Sequence, residues 1–348
     1  MKPLELGIIS LTDLQLDPVT GIRADPAART REILGYAVLA DRLGLDVFGL
    51  GEHHTPDFAV SSPAVTLAAA AALTTNIRLT TGSTVLNLHD PVRVYEDFAS
   101  LDLVSNGRAE IVAGRSAFAE PFELFGIPMD EYDARFAENL GLLLKLRAQH
   151  AIGGTAWNGR FRAPLTGQTV PPVLSRELPV WVAVGGSPES AIRAGSLGLP
   201  MVLGYIGGPL GHLRRLAGLY RQAGEAAGHA GRLKLGISTH FLAAPDRAAA
   251  MRAYPYYHEY LRPKPPQFRG WDVSTAQFEA GMTPGGHLLI GTPEQLIEKI
   301  LTIHHTIGID RFYGQIDWGG LPRGVVEESI TVFGEQIAPI LRQTLAGL

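Results

Sequence analysis

The sequence predicts an α/β fold, an eight-stranded (β/α)8 TIM barrel with insertions, whose chemistry sits on the loops after the C-terminal ends of the strands. Three observations lead there. Short apolar runs alternate with longer amphipathic ones from end to end, the mark of a parallel sheet covered by helices. The 348 residues exceed the roughly 250 of a plain barrel by enough for two insertions. No Gly-x-Gly-x-x-Gly follows the first apolar run, where an open dinucleotide-binding sheet would carry it.

Taken in order, the first strand reads Leu4 to Ser10, and a Pro/Gly-punctuated loop leads to a helix from Arg29 to Leu43. Strand Val47 to Leu50, an alanine-rich helix from Pro63 to Thr74 and strand Ile77 to Thr81 follow. A helix from Val92 to Val104 enters strand Ala109 to Ala113, and Asp130 to Gln149 makes a long helix with Leu142, Leu143 and Leu146 on one face. The rhythm then repeats: strand Val180 to Val184, helix Pro188 to Leu197, strand Met201 to Leu203, helix Leu210 to Ala227 and strand Leu235 to Leu242. Helical segments span Asp246 to Leu261 and Pro293 to Ile307, strand Arg311 to Ile316 is the eighth, and Val325 to Leu345 closes the chain. Nothing in the composition marks a linker, so one domain over 1–348 is expected. Segments 152–179 and 263–288 are Pro/Gly-rich and too long for ordinary connections, which makes them lids or edge insertions.

Composition narrows the function. A hydrophobic fraction of 46% against 18% charged residues describes a folded chain with a sizeable core. Net charge is −4 and Lys and Arg are scattered, which argues against nucleic acid as a partner. The absence of cysteine removes disulfides, thiolate zinc sites and a cysteine nucleophile, and suits a reducing cytoplasm. The N-terminal MKPLELGIIS has no signal-peptide pattern, and the apolar stretch Val65 to Leu73 is far short of the roughly 20 residues that cross a bilayer. A cytoplasmic protein with no membrane partner is expected.

Polar residues just past the strand ends are the candidate site. The second strand runs into Gly51-Glu52-His53-His54. These histidines can cap the barrel through hydrogen bonds, ligate a metal, or act as acid–base groups with a pKa near neutrality. A metal needs convergent side chains, whereas neighbours in an extended segment point to opposite faces. There is also no HExxH, and no HxH on the first strand. The acid–base reading is preferred, with His53 and His54 as candidates and no metal.

The fifth strand ends in Val184-Gly185-Gly186-Ser187-Pro188-Glu189-Ser190. Ser187 is a good N-cap and Pro188 fits the first helical position. Free N–H groups, the positive dipole end and the hydroxyls of Ser187 and Ser190 suit a phosphate, with Gly185 and Gly186 allowing close backbone approach. An ordinary capped helix explains the same residues, and Glu189 weighs against an anion. Arg115, after the fourth strand, can neutralise an anion or pair with a carboxylate. Ser83 and Thr84 follow the third strand among small residues that leave room for a flat ring or simply form a tight turn. Tyr205, His240 and Trp318 lie near strand ends as candidate pocket residues.

In order, Phe48-Gly49-Leu50-Gly51-Glu52-His53-His54, Asp90 to Asp97, Leu101 to Arg108, Ala113-Gly114-Arg115, Val182 to Ser190 and Gly198-Leu199-Pro200-Met201 resemble the bacterial luciferase-like family of flavin-dependent monooxygenases and oxidoreductases. Ile290 to Glu294 and Gly308 through Pro339 share the family's look, and the two insertions match least. The resemblance implies a barrel that binds FMN, or alternatively the deazaflavin F420, at its C-terminal mouth. It implies a phosphate among Arg115, Gly186, Ser187 and Ser190, a flavin ring against Ser83 and Thr84 where relatives often have a non-proline cis peptide, and Tyr205 close enough to touch the cofactor. His53 takes the place of the family's acid–base histidine, with His54 as its neighbour.

The implied reaction uses reduced FMN and molecular oxygen on a small organic substrate, with FMN reduced in place or supplied by a separate NAD(P)H:flavin reductase. The resemblance also implies a homodimer formed through the alanine-rich helix. Rival readings are an F420-dependent oxidoreductase of the same fold, a non-catalytic flavin-binding protein, and a metal-dependent barrel hydrolase.

Overall fold

The computed structural model describes residues 3–116, 118–263 and 270–347. Its strands are β1 (Glu5–Ser10), β2 (Val47–Leu50), β3 (Arg78–Thr81), β4 (Thr84–Val85), β5 (Ile111–Gly114), β6 (Thr155–Trp157), β7 (Leu165–Gln168), β8 (Val180–Val184), β9 (Met201–Gly204), β10 (Leu235–Ala243), β11 (Leu289–Gly291) and β12 (Arg311–Gln315). All pair in parallel except the β6–β7 hairpin, and the main sheet runs β3-β2-β1-β12-β10-β9-β8-β5-β4. The ends of that path meet. Leu79 of β3 donates its N–H to Arg108 at 2.9 Å and accepts from the Glu110 N–H at 2.9 Å, which closes the ring.

The closed ring uses the eight strands expected from the sequence, with ends shifted by up to two residues. Four short strands lie outside that count. β4 resumes the third strand after a cis Gly82–Ser83 bond. β11 pairs with Phe241 to Ala243, the upper end of β10, above the point where β12 leaves it. β6 and β7 belong to the first insertion, too short and polar to carry a strand pattern.

Nearly every ring residue is buried, because helices cover the outside while side chains fill the inside. Ile9, Val47, Val112, Trp181, Val202 and Tyr313 form the inner cluster. The N-terminal end is plugged by charge: Arg311 (1% exposed) lies 4.2 Å over the Trp181 ring and donates to both Glu110 oxygens at 2.6 and 3.1 Å. Glu5 accepts from it as well. An arginine this deep is tolerated because each charge it brings is met by another.

The insertions behave differently. Segment 152–179 is an edge insertion, lying along the helix Tyr132–Arg147: Glu138 accepts from the N–H groups of Arg160 and Phe161 at 2.8 and 3.0 Å, and Gln149 makes reciprocal bonds with Val170. In the second, residues 264–269 lie outside the described residues, while the helix Thr275–Met282 and its following loop bring His287 to the barrel mouth. Lys299 pins that loop by donating to the carbonyls of Gly281, Thr283 and Leu288 at 3.2, 2.8 and 2.6 Å. No helix among the described residues is long and apolar enough to cross a membrane.

Above the two Leu79 bonds, one hydroxyl joins β3 to β5. Thr81 Oγ1 donates to the Val112 carbonyl at 3.2 Å and accepts from the Val112 N–H at 3.1 Å, both buried. Thr81→Val strands both backbone groups and should lower unfolding stability by about 3 kcal/mol, with Thr81→Ser close to wild type, as read by urea denaturation. A loss below about 1 kcal/mol would show that other contacts hold the seam.

Candidate active site

Parallel strands place all their C-terminal ends on one rim, and the predicted residues gather there in three groups. The first is the end of β2. Glu52 is buried, and its Oε1 lies 2.9 Å from His54 Nε2 and 2.6 Å from His89 Nε2, while Oε2 accepts from the Val85 N–H at 3.1 Å. Burial would raise this carboxyl, but the hydrogen bonds from His54 and His89 outweigh it and hold the group below the usual carboxylate range. His89 shows the converse: burial opposes its charge, yet Glu52 raises its pKa above the ordinary histidine value.

His53 points the other way, as alternation in an extended segment requires. Its ring stacks on Phe58 at 3.8 Å and meets Phe118 edge-on at 5.9 Å. Burial, with a smaller contribution from His54 and against Glu52, pushes its pKa down to about 4, so the imidazole is neutral at physiological pH. Its Nδ1 is buried with no hydrogen-bond partner. His53 and His54 therefore differ: one keeps an unpartnered Nδ1 among aromatic rings and touches the Leu11 backbone, the other is tied to Glu52. His89, Phe58 and Phe118 were not identified from the sequence. His89 sits beside the helix-capping Asp90, a signal that speaks only of the helix.

The second group joins β5 to the helix Pro188–Ser196. Arg115 donates to the Ser190 hydroxyl at 2.8 Å, pairs with Asp133, and lies 4.9 Å over the Tyr132 ring. Of the two sequence readings of Arg115, the carboxylate partner is the one seen here, as Asp133. Ser187 caps the helix, accepting from the Ser190 N–H at 3.3 Å and donating to Glu189 at 2.7 Å. Gly186 has φ +128°, a conformation that side chains avoid, and a Cβ on Gly185 would meet nothing within 4 Å. The floor in front of this helix is therefore bare backbone. Arg193, on the same helix, has a buried Nη1 with no partner, and His212 Nε2 stands 3.8 Å from where a Gly186 Cβ would be.

Ser83 borders this group: a Cβ on Gly114 would lie 1.9 Å from Ser83 Oγ, so the cis Gly82–Ser83 turn packs directly on β5. Thr84 is turned into the wall. Its hydroxyl donates to Thr81 at 3.0 Å, which corrects the expectation that it faces a flat ring alongside Ser83.

The third group fills the opposite side. His240 and Trp318 come together at 6.3 Å with Tyr257 and Tyr260, each ring edge-on to His240. Burial pushes His240 down to about 3, and both its nitrogens, the Tyr257 hydroxyl and the Trp318 N–H have no partner. Tyr205 stands apart, edge-on to His287 at 6.3 Å. Below them Asp317 accepts from Ser10 at 2.6 Å and from Arg29 at 2.7 Å, and Arg29 also meets Asp13 and Glu32.

Comparison with known proteins gives the family. The family model of luciferase-like monooxygenases matches residues 4–311. The chain belongs to that family. It is an oxidoreductase. It is 25% identical over 353 residues to 4-hydroxyprotoasukamycin monooxygenase of Streptomyces nodosus subsp. asukaensis, covering 96% of this chain and 92% of that one. The fold matches the oxygenating constituent of 3,6-diketocamphane monooxygenase from Pseudomonas putida, a type II Baeyer–Villiger monooxygenase in complex with FMN, with TM-score 0.75, 18% identity and 97% and 98% of the two chains covered. It also matches an F420-dependent secondary alcohol dehydrogenase bound to an F420–acetone adduct, with TM-score 0.73, 17% identity and 98% and 100% covered.

Proposed function

We propose that this protein is the oxygenase component of a two-component flavin-dependent monooxygenase, taking reduced FMN from a separate NAD(P)H:flavin reductase and using molecular oxygen on a small organic substrate. The observation that carries this reading is the Arg115–Ser190 contact at the N-terminus of a nine-residue helix, facing bare glycine backbone. A phosphate group fits there. It would take the Arg115 guanidinium in place of Asp133, the Ser190 hydroxyl and the positive end of the helix dipole. Glu189 does not oppose it, because its carboxylate is exposed and bonded to Ser187. The chain has no dinucleotide-binding Gly-x-Gly-x-x-Gly, which favours reduction by a partner over tight NAD(P)H binding here.

Reduced flavin, when bound, supplies the activation of oxygen. The protein's part is to hold the phosphate at Arg115, lay the ring against Ser83 and Gly114, keep bulk water out, and move a proton at the unpartnered Nδ1 of His53. The substrate pocket is assigned to the neutral aromatic wall of His240, Tyr257, Tyr260 and Trp318. The work of the protein is placed in the cytoplasm, where a cysteine-free chain meets a reductase and oxygen together.

A second copy of the chain is the proposed oligomeric partner. Val65, Ala69, Ala72 and Leu73 are exposed along one face of the helix Pro63–Leu73, at i, i+4, i+7 and i+8, beside exposed Leu103 and Val104. An apolar stripe of this kind suits an isologous dimer.

Titration of the protein with reduced FMN and with reduced F420 tests the cofactor assignment. FMN should bind, and Arg115→Ala should weaken FMN about 10- to 100-fold while leaving riboflavin unchanged. Binding of F420 without FMN would replace this reading with hydride transfer. His53→Ala should lower turnover by about a hundredfold with FMN affinity within about threefold of wild type; equal losses would make His53 a positioning residue. Light scattering should give twice the chain mass, and a Val65→Asp, Leu73→Asp double variant should give the chain mass.

A further inference from the structure

We propose that Glu52, His54 and His89 form a binding site for one divalent transition cation of the zinc class, beside the candidate active site. Two features of the chain bring these ligands together. Glu52 and His54 are two residues apart just past the end of β2, and their side chains meet while His53 stacks on Phe58 instead. His89 arrives from the short helical turn Leu86–Leu88, 37 residues further along than Glu52. The three candidate ligand atoms lie within 4.8 Å of one another.

The site is built before any ion arrives. Glu52 Oε2 is fixed by the Val85 N–H at 3.1 Å, which leaves Oε1 facing both imidazoles. The turn carrying His89 is clamped by Asn139, whose amide donates to the carbonyls of Leu86 and His89 at 2.9 and 3.1 Å. Phe125 stands edge-on to both His54 and His89, at 4.9 and 6.2 Å, and gives the cluster an apolar wall. The side chains of Glu52 and His54 are 1% and 7% exposed, while His89, at 30%, forms the entry.

Two imidazoles and one carboxylate suit zinc, cobalt or nickel and not magnesium or calcium, which take oxygen ligands. Ligand atoms around tetrahedral zinc stand about 3.3 Å apart, so the 2.6 and 2.9 Å contacts need to open by about half an ångström, with His89 the group free to move. Three protein ligands leave one position open. An ion there would take His54 and Glu52 away from each other, next to His53, and would act on the oxygenase reaction from one residue away.

The test uses the full chain, stripped with a chelator, and zinc chloride as the probe. Calorimetry should give one zinc per chain, zinc should raise the melting temperature, and cobalt(II) should give visible absorption bands of a low-coordinate site. Glu52→Gln and His89→Ala should each weaken zinc by roughly tenfold or more, since each removes one of three ligands. His89→Asn serves in its place if the alanine variant fails to fold. A His304→Ala, His305→Ala variant, which removes an adjacent histidine pair elsewhere on the molecule, should bind as wild type does. The proposal is overturned if wild-type protein shows no saturable zinc binding, or if zinc binds the His89 variants as it binds wild type. These readouts need neither flavin nor turnover, so they stand or fall separately from the oxygenase reading.

Discussion

The cofactor side of the mouth depends on the β3–β5 seam. A parallel barrel closes only where its first and last neighbours find partners, and here Val112 offers both its N–H and its carbonyl to one Thr81 hydroxyl. Ser83, Gly114 and Arg115, assigned to the ring and phosphate, lie within a few residues of that contact. β3 continues through the Gly82–Ser83 turn into β4, Ser83 rests on Gly114, and Gly114 delivers Arg115 to the helix of Ser190. A hydroxyl can do this because it donates and accepts at once, so neither backbone group is left buried and unpaired.

Charge is distributed along the barrel axis with a clear logic. At the N-terminal end Arg311 is saturated by Glu5 and Glu110 and plugs the barrel. At the mouth Asp317 pairs with Arg29 and Glu52 with two imidazoles, and several of the unpaired polar atoms belong to neutral rings: His53, His240, Tyr257 and Trp318. Burial accounts for the difference. An isolated charge cannot remain in a low-dielectric wall, whereas a neutral donor or acceptor can wait there for a ligand at a far smaller cost. The rings of the rim are thus polar without being charged.

Much of this was legible in the sequence because the signals are local. The period of apolar runs marks strands that pack on helices. Ser187-Pro188 states a helix start, and Arg115 stands out because it follows a strand directly. Other features escaped for equally physical reasons. Tyr257 and Tyr260 look like residues of an ordinary amphipathic helix until that helix is laid over His240. β4 and β11 are too short to carry any pattern of their own. Thr84 looked like its neighbour Ser83, and only the turn of the backbone decided that one hydroxyl faces β5 and the other Thr81.

The sequence by itself determined the barrel, the order of its strands, the rim on which the chemistry gathers and the opposite facing of His53 and His54, since each follows from periodicity, capping and alternation along one chain. The tertiary structure alone decided which distant side chains share a carboxylate, that His53 is neutral, that the first insertion runs down an outer helix, and that Asp133 holds Arg115. Those outcomes depend on desolvation and on contacts between segments tens of residues apart, and no local pattern encodes the distance between two such segments until the ring has closed.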